Sequence, residues 1–166
     1  MDVFPQVAIA RFEKLNPGDL FILLSERGNC VALKTQQVPN GDGNLIALLG
    51  PTFPSSNQAP ILVEWQATTT VSFGQNYSVL LPTDPSAWSM NAPPNNILCL
   101  VQSYDKLYLR IDGSTQPGRY FPCFIELATG ALIERHLPGI LAYALEWEFV
   151  ATPVEGTGRS ILKYPY

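Results

Sequence analysis

The sequence predicts an all-β domain, either an antiparallel barrel or a two-sheet sandwich of about ten short strands with at most one short helix. Three observations carry that expectation. Residues 61–73 keep a strict period of two without a glycine or proline, the spacing of a strand with two different faces. Fifteen prolines and twelve glycines punctuate the chain without a period, which favours many turns over long helices. Only 14% of residues are charged, so the Lys/Glu-rich stretches of long surface helices are missing.

Taken in order, residues 7–12 form a first apolar segment, and Asn16-Pro17-Gly18-Asp19 reads as a turn with Pro setting φ and Gly accepting a positive value. Residues 20–24 are continuously apolar. Ser25-Glu26-Arg27-Gly28-Asn29 turns the chain, and residues 30–35 return it, giving a hairpin. Residues 45–49 form another strand, followed by a Pro-rich loop over 50–60.

The period-two run places Ile61, Val63, Trp65, Ala67, Thr69, Val71 and Phe73 on one side, which is the expected spine of the core. Leu62, Glu64, Gln66, Thr68, Thr70 and Ser72 take the other. Dense β-branching suits a pleated surface. Fully extended, the run would span about 43 Å, long for a small domain, so a bend or bulge is expected near residues 67–70.

A strand over 77–81 precedes the longest irregular stretch, residues 82–96. Hairpins follow over 97–112 and 120–135, turning at Ser103-Tyr104-Asp105 and Ala128-Thr129-Gly130. Residues 141–149 fit strand alternation better than helical spacing, with Tyr143, Leu145, Trp147 and Phe149 on one face and Glu146 and Glu148 on the other. A Gly-rich loop over 155–160 leads to a last short strand.

The length of 166 residues suggests one domain spanning 1–166. A chain of this size buries enough surface to fold without metal or disulfide staples. The net charge of −4 and ten scattered basic residues give no cationic stripe, so nucleic-acid binding is not expected. No apolar run approaches the length of a membrane-spanning helix, and residues 1–5 do not resemble a signal peptide. Cys30, Cys99 and Cys123 are odd in number and widely spaced, which reads as reduced, buried thiols in a cytoplasmic protein.

Candidate chemistry is sparse. His136, the only histidine, is a possible general base or ligand, but one His and three dispersed Cys make no metal-binding pattern, so neither metal nor cofactor is expected. Glu146 and Glu148, on one face of one strand, could do acid–base work on a glycosidic bond. Trp88, Tyr104 and Tyr120 lie in or beside loops and are candidate contacts for a ligand or partner. Gly156-Thr157-Gly158 lacks the lysine and the strand–loop–helix setting of a phosphate loop.

The expectation is therefore a non-enzymatic binding or protein-interaction domain. Loops 50–60 and 82–96 would present the binding face to a protein or small ligand. The alternative is a small carbohydrate-active enzyme using Glu146 and Glu148. Many strands leave sheet edges to hide, so self-association into a homo-oligomer is also expected if the sheet does not close.

Overall fold

The computed structural model describes residues 8–25, 28–36, 44–50, 61–65, 69–91, 98–116, 119–134, 136–137, 139–152 and 158–165. Fifteen strands cross these residues: β1 (Ala8–Arg11), β2 (Leu20–Ser25), β3 (Gly28–Lys34), β4 (Asn44–Gly50), β5 (Ile61–Trp65), β6 (Thr69–Gly74), β7 (Tyr77–Leu80), β8 (Trp88–Ser89), β9 (Cys99–Ser103), β10 (Lys106–Gln116), β11 (Arg119–Glu126), β12 (Leu132–Glu134), β13 (Ile140–Ala144), β14 (Trp147–Ala151) and β15 (Arg159–Tyr164). The only helical turns among the described residues are two 3-10 turns, Phe12–Lys14 and Pro85–Ala87. The all-β expectation holds. The strands outnumber the ten expected, in part because two long runs are each cut in two.

Twelve strands form one sheet in the order β1-β6-β2-β3-β4-β5-β10-β9-β13-β8, with β11 and then β12 added beside β10. Pairing is antiparallel except between β5 and β10. The remaining three form a second sheet, β15-β14-β7. Neither sheet closes into a barrel among the described residues, and the second packs against the first across a shared core, as in a sandwich.

The period-two run is the first of the divided runs. Its halves, β5 and β6, lie at opposite ends of the path β6-β2-β3-β4-β5. Four flat inter-strand steps would hold them about 19 Å apart. Trp65 and Thr69 are separated by three residues, a reach of at most about 14 Å. The path must therefore curl, and one run of sequence serves both of its ends. The expected bend itself, at residues 66–68, lies outside the described residues.

The expected inward face does not hold through β6. Thr70 is fully buried and Ser72 nearly so, whereas Val71 and Phe73 are half-buried. Ladder register explains it. Thr70 and Ser72 pair with Leu23 and Phe21, whose side chains enter a second core cluster of Phe12, Leu15, Phe21, Leu23, Cys30, Ala32, Ile46 and Leu48. The Thr70 hydroxyl donates to the Ala10 carbonyl at 3.2 Å, which satisfies it there.

The β2–β3–β4 meander is thus covered on both sides. Alternate residues Leu20, Val31, Leu33, Ala47 and Leu49 enter the main core instead. There they meet Leu100, Leu109, Ile111 and Ile125 from β9–β11 and Trp147, Phe149 and Leu162 from the second sheet. A third cluster (Cys99, Val101, Tyr108, Phe124, Leu137 and Tyr143) covers the far face of β9–β11 and β13.

Residues 141–149 are strand, not helix, but they split between the sheets. β13 ends at Ala144 in the large sheet and β14 begins at Trp147 in the small one. Along the inner face of the small sheet runs an aromatic row: Tyr77 to Phe149 at 5.2 Å, Phe149 to Trp147 at 4.9 Å and Trp147 to Tyr164 at 5.6 Å between ring centroids. This row builds the second layer, since aromatic side chains bury the most area per residue.

Among the described residues no helix is long and apolar enough to cross a membrane.

Candidate functional site

The sequence-predicted site residues are scattered. Glu146 is exposed in the turn between β13 and β14, and Glu148 is half-buried on β14. They do not share one strand, so the single face that the acid–base reading needs is not formed there. His136 is exposed between β12 and β13. The three cysteines form no disulfide and are buried, each in a different core cluster. Burial pushes the Cys30 thiol above its ordinary value, against the backbone N–H groups of Gly50 and Leu49, so it stays protonated. Among the described residues no group of three or more His, Cys, Asp or Glu could hold a metal ion.

Trp88 is half-buried, packs on the main core and donates its indole N–H to the Pro82 carbonyl at 3.1 Å. It anchors the irregular stretch. Tyr104 is 65% exposed in the β9–β10 turn with φ +53°. Its ring lies over Gly139, where a Cβ would approach it to 2.5 Å. Tyr120 sits on β11 opposite Ser114, and its side chain lies outside the described residues. So do loop residues 51–60 and the first half of the Gly-rich loop, residues 155–157.

What the structure leaves exposed near the junction of the two sheets is apolar. Leu80, Leu81, Met90 and Leu145 are 52, 37, 73 and 40% exposed. They are four of the seven exposed large apolar side chains among the described residues. Their placement follows from register. Leu80 pairs with Glu148 across β7–β14. One residue on, Leu81 runs into Pro82, which receives the Trp88 indole. Trp88 pairs with Ala144 across β8–β13, and Leu145 follows directly. Met90 continues β8 past Ser89, which pairs with Tyr143. The end of β7 and the Leu145-Glu146 link therefore lie where the chain passes between the two sheets, and Met90 lies further along the large sheet, beyond the Ser89–Tyr143 pair.

Glu148 stands between Leu80 on β7 and Lys163 on β15 in the ladders, and Asp84 and Glu146 are exposed. The backbone N–H of Ser86 donates to Asp84 at 2.8 Å and holds that carboxyl below its ordinary value, so it stays ionised. Sequence reading missed the leucines because each extends an apolar run that looks like core. The available signal was Pro82, which ends the β7 ladder and leaves the preceding leucines at a strand end.

A separate depression of about 290 Å³ is lined by Gln75, Tyr77, Val79, Leu127 and Ala128. Its polar atoms are mostly occupied in structure. The Tyr77 hydroxyl lies 3.0 Å from the Gly18 carbonyl and 3.3 Å from that of Leu127 and donates between them. Burial, reinforced by Asp19, pushes the phenol well above its ordinary value. Tyr77 thereby stays protonated in the fold while the unfolded chain ionises near about pH 10. Above that pH the folded state holds more protons, so stability falls as pH rises. Tyr77→Phe is expected to cost about 1–2 kcal/mol at neutral pH and to flatten this alkaline loss. Urea midpoints from pH 7 to 11 check both; an unchanged alkaline slope would refute it.

No family model, no curated protein and no solved structure matches this chain.

Proposed function

We propose that this chain is a non-enzymatic protein-interaction domain that engages its partner through the seam formed by the end of β7, the β13–β14 turn and β8. The observation that carries this reading is the exposure of Leu80, Leu81 and Leu145 where the chain passes between the two sheets, with Met90 exposed just beyond β8. Single exposed apolar residues are ordinary, but several of them along one stretch of paired strands favour a contact surface. The stretch 82–96, expected to present a binding face, contributes its described part, anchored rigidly by Trp88 and by the Asp84-capped 3-10 turn. Rigid presentation lowers the entropy cost of binding.

The test is affinity capture with the wild-type chain and a Leu80→Ser/Met90→Ser variant. Both positions are exposed, so stability should change by no more than about 0.5 kcal/mol each. Partners are expected to be lost from the variant while its near-ultraviolet circular dichroism is unchanged. Identical partner sets from the two proteins would overturn the reading.

A further inference from the structure

We propose that β1 pairs with the β1 of a second copy of this chain, joining two large sheets edge to edge about a two-fold axis at Ile9. β1 ends the order of the large sheet and, among the described residues, pairs with β6 alone. The backbone N–H and C=O groups on its outer side therefore suit another extended strand. β8 ends the same order at the opposite end, so this contact stands apart from the surface proposed above. Other edge strands carry features that block such pairing. β8 has two residues and β12 three, β7 is followed by Pro82, and β15 carries Arg159 and Lys163. β1 has neither a proline nor a register shift, and its one charge, Arg11, is at its end.

The side chains beside this edge are apolar and in contact order. Ile9 stands opposite Val71, Val71 opposite Ile22, and Ile22 opposite Val31. Directly opposite residues share a face, so these four make one row across β1, β6, β2 and β3. The row starts in the main core at Val31, which is 7% exposed. It passes through the half-buried Ile22 and Val71 and ends at Ile9, which is 80% exposed. Leu24, two residues past Ile22 on the same face, is 49% exposed. The apolar face thus runs to the edge of the sheet and stops there.

Symmetry and charge identify a second copy as the strand that covers it. Antiparallel joining of two identical edges needs a two-fold axis perpendicular to the sheet, which keeps the same face of both copies on one side. With the axis at Ile9, Ile9 packs against its own equivalent and Ala8 stands opposite Ala10. The apolar row then continues from one copy into the other. The two Arg11 residues are held about 14 Å apart, beyond the Debye length of about 8 Å at physiological salt. With the axis moved to Ala10, Ile9 would face an arginine and the two Arg11 residues would come within about 8 Å. β1 is therefore its own complement in packing and in charge, in the Ile9 register. Four residues a side make a contact well below the roughly 1,600 Å² of a stable interface, so the dimer forms with a Kd on the order of 100 μM.

The experiment is sedimentation equilibrium of the full chain from about 5 to 500 μM, a range that brackets this Kd. The wild type is expected to pass from monomer to dimer. Ile9→Lys sets two like charges against each other on the axis and is expected to raise the Kd at least about ten-fold. Its near-ultraviolet circular dichroism should match the wild type, because Ile9 is exposed. Arg11→Gln should change the Kd by less than about two-fold. Amide exchange over residues 8–11 should slow as the wild-type concentration rises, with β9–β11 unaffected. A monomer throughout the range, or a dimer equally strong in Ile9→Lys, would overturn the proposal. So would a dimer strengthened several-fold by Arg11→Gln, which would set the arginines close together. A dimer that Leu80→Ser/Met90→Ser dissociates and Ile9→Lys preserves would also overturn it, while leaving the surface proposed above in place.

Discussion

Gly130→Ala is expected to cost at least about 4 kcal/mol, an exceptional single-site effect and a large part of a domain's whole stability. Gly130 has φ +68°, a conformation that costs an L-residue about 1–2 kcal/mol. The larger contribution is steric. A Cβ there would overlap the Gly18 amide nitrogen and lie 2.8 Å from the Pro17 carbonyl carbon and 2.9 Å from the Lys34 carbonyl oxygen. All three are backbone atoms, so no rotamer change relieves the overlap.

The crowding exists because the β11–β12 turn docks onto the Asn16–Asp19 turn and the end of β3. Gly18 N–H donates to the Lys34 carbonyl at 2.8 Å, and Gln36 N–H donates to the Gly130 carbonyl at 2.8 Å. Tyr77 ties the same joint from the second sheet through Gly18 and Leu127. Pushing the two turns apart would strain hydrogen bonds on both sides at once. Gly74→Ala is the internal control. It shares a positive φ, +59°, but its Cβ would meet nothing nearer than the Asn76 side chain at 4.0 Å. Its expected cost is about 1–2 kcal/mol from conformation alone. Urea midpoints compare the two, with yield of soluble protein as a second readout. Equal midpoints would refute the close-packed joint.

The Gly130 joint also shows which parts of the fold were legible in the sequence. The hairpins β2–β3, β9–β10 and β11–β12 were legible because each pairs neighbouring apolar runs across a short polar turn. The docking of one turn on another was not, because it sets Gly130 against Gly18, more than a hundred positions away, and a glycine in a turn carries no mark of what it touches. The face of β6 was misread for a similar reason. Alternation fixes that two faces exist, but burial of Thr70 and Ser72 is decided by what lies over them. That cover is the segment 10–15, placed by the second core cluster.

The division of 141–149 was hidden too. Leu145-Glu146 carries neither glycine nor proline, and it continues the alternation while the chain leaves one sheet for the other. That crossing separates Glu146 from Glu148 and exposes Leu145. The same invisible break therefore dispersed the predicted carboxylate pair and built part of the apolar surface instead.

Lys34→Met is expected to cost about 2–3 kcal/mol, the scale of buried hydrogen bonds to a charged group, and to loosen the N-terminal segment before the rest. Lys34 is only 8% exposed. Its ammonium donates to the Leu15 carbonyl at 2.7 Å and the Phe12 carbonyl at 3.2 Å, and sits 4.7 Å from the Phe12 ring centroid. Methionine keeps the apolar stem and deletes the donors. Phe12 retains the N–H of Leu15 on its carbonyl at 3.1 Å, so the Leu15 carbonyl bears most of the loss.

These contacts hold the 3-10 turn Phe12–Lys14, and with it Phe12, over the second core cluster. Amide hydrogen exchange is therefore expected to accelerate over residues 8–15 well ahead of β9–β11, as for a locally unfolding unit. The pH dependence has a definite sign. Burial lowers the Lys34 value despite Asp19 and Glu13 acting to raise it. Between that lowered value and the ordinary one the unfolded chain holds the extra proton, so Lys34 makes stability rise with pH there. Tyr77 acts in the opposite sense at higher pH. In Lys34→Met the rise should vanish and the alkaline fall due to Tyr77 should remain. Uniform exchange across the whole domain, or an unaltered pH profile, would show that Lys34 does not hold the N-terminal segment in place.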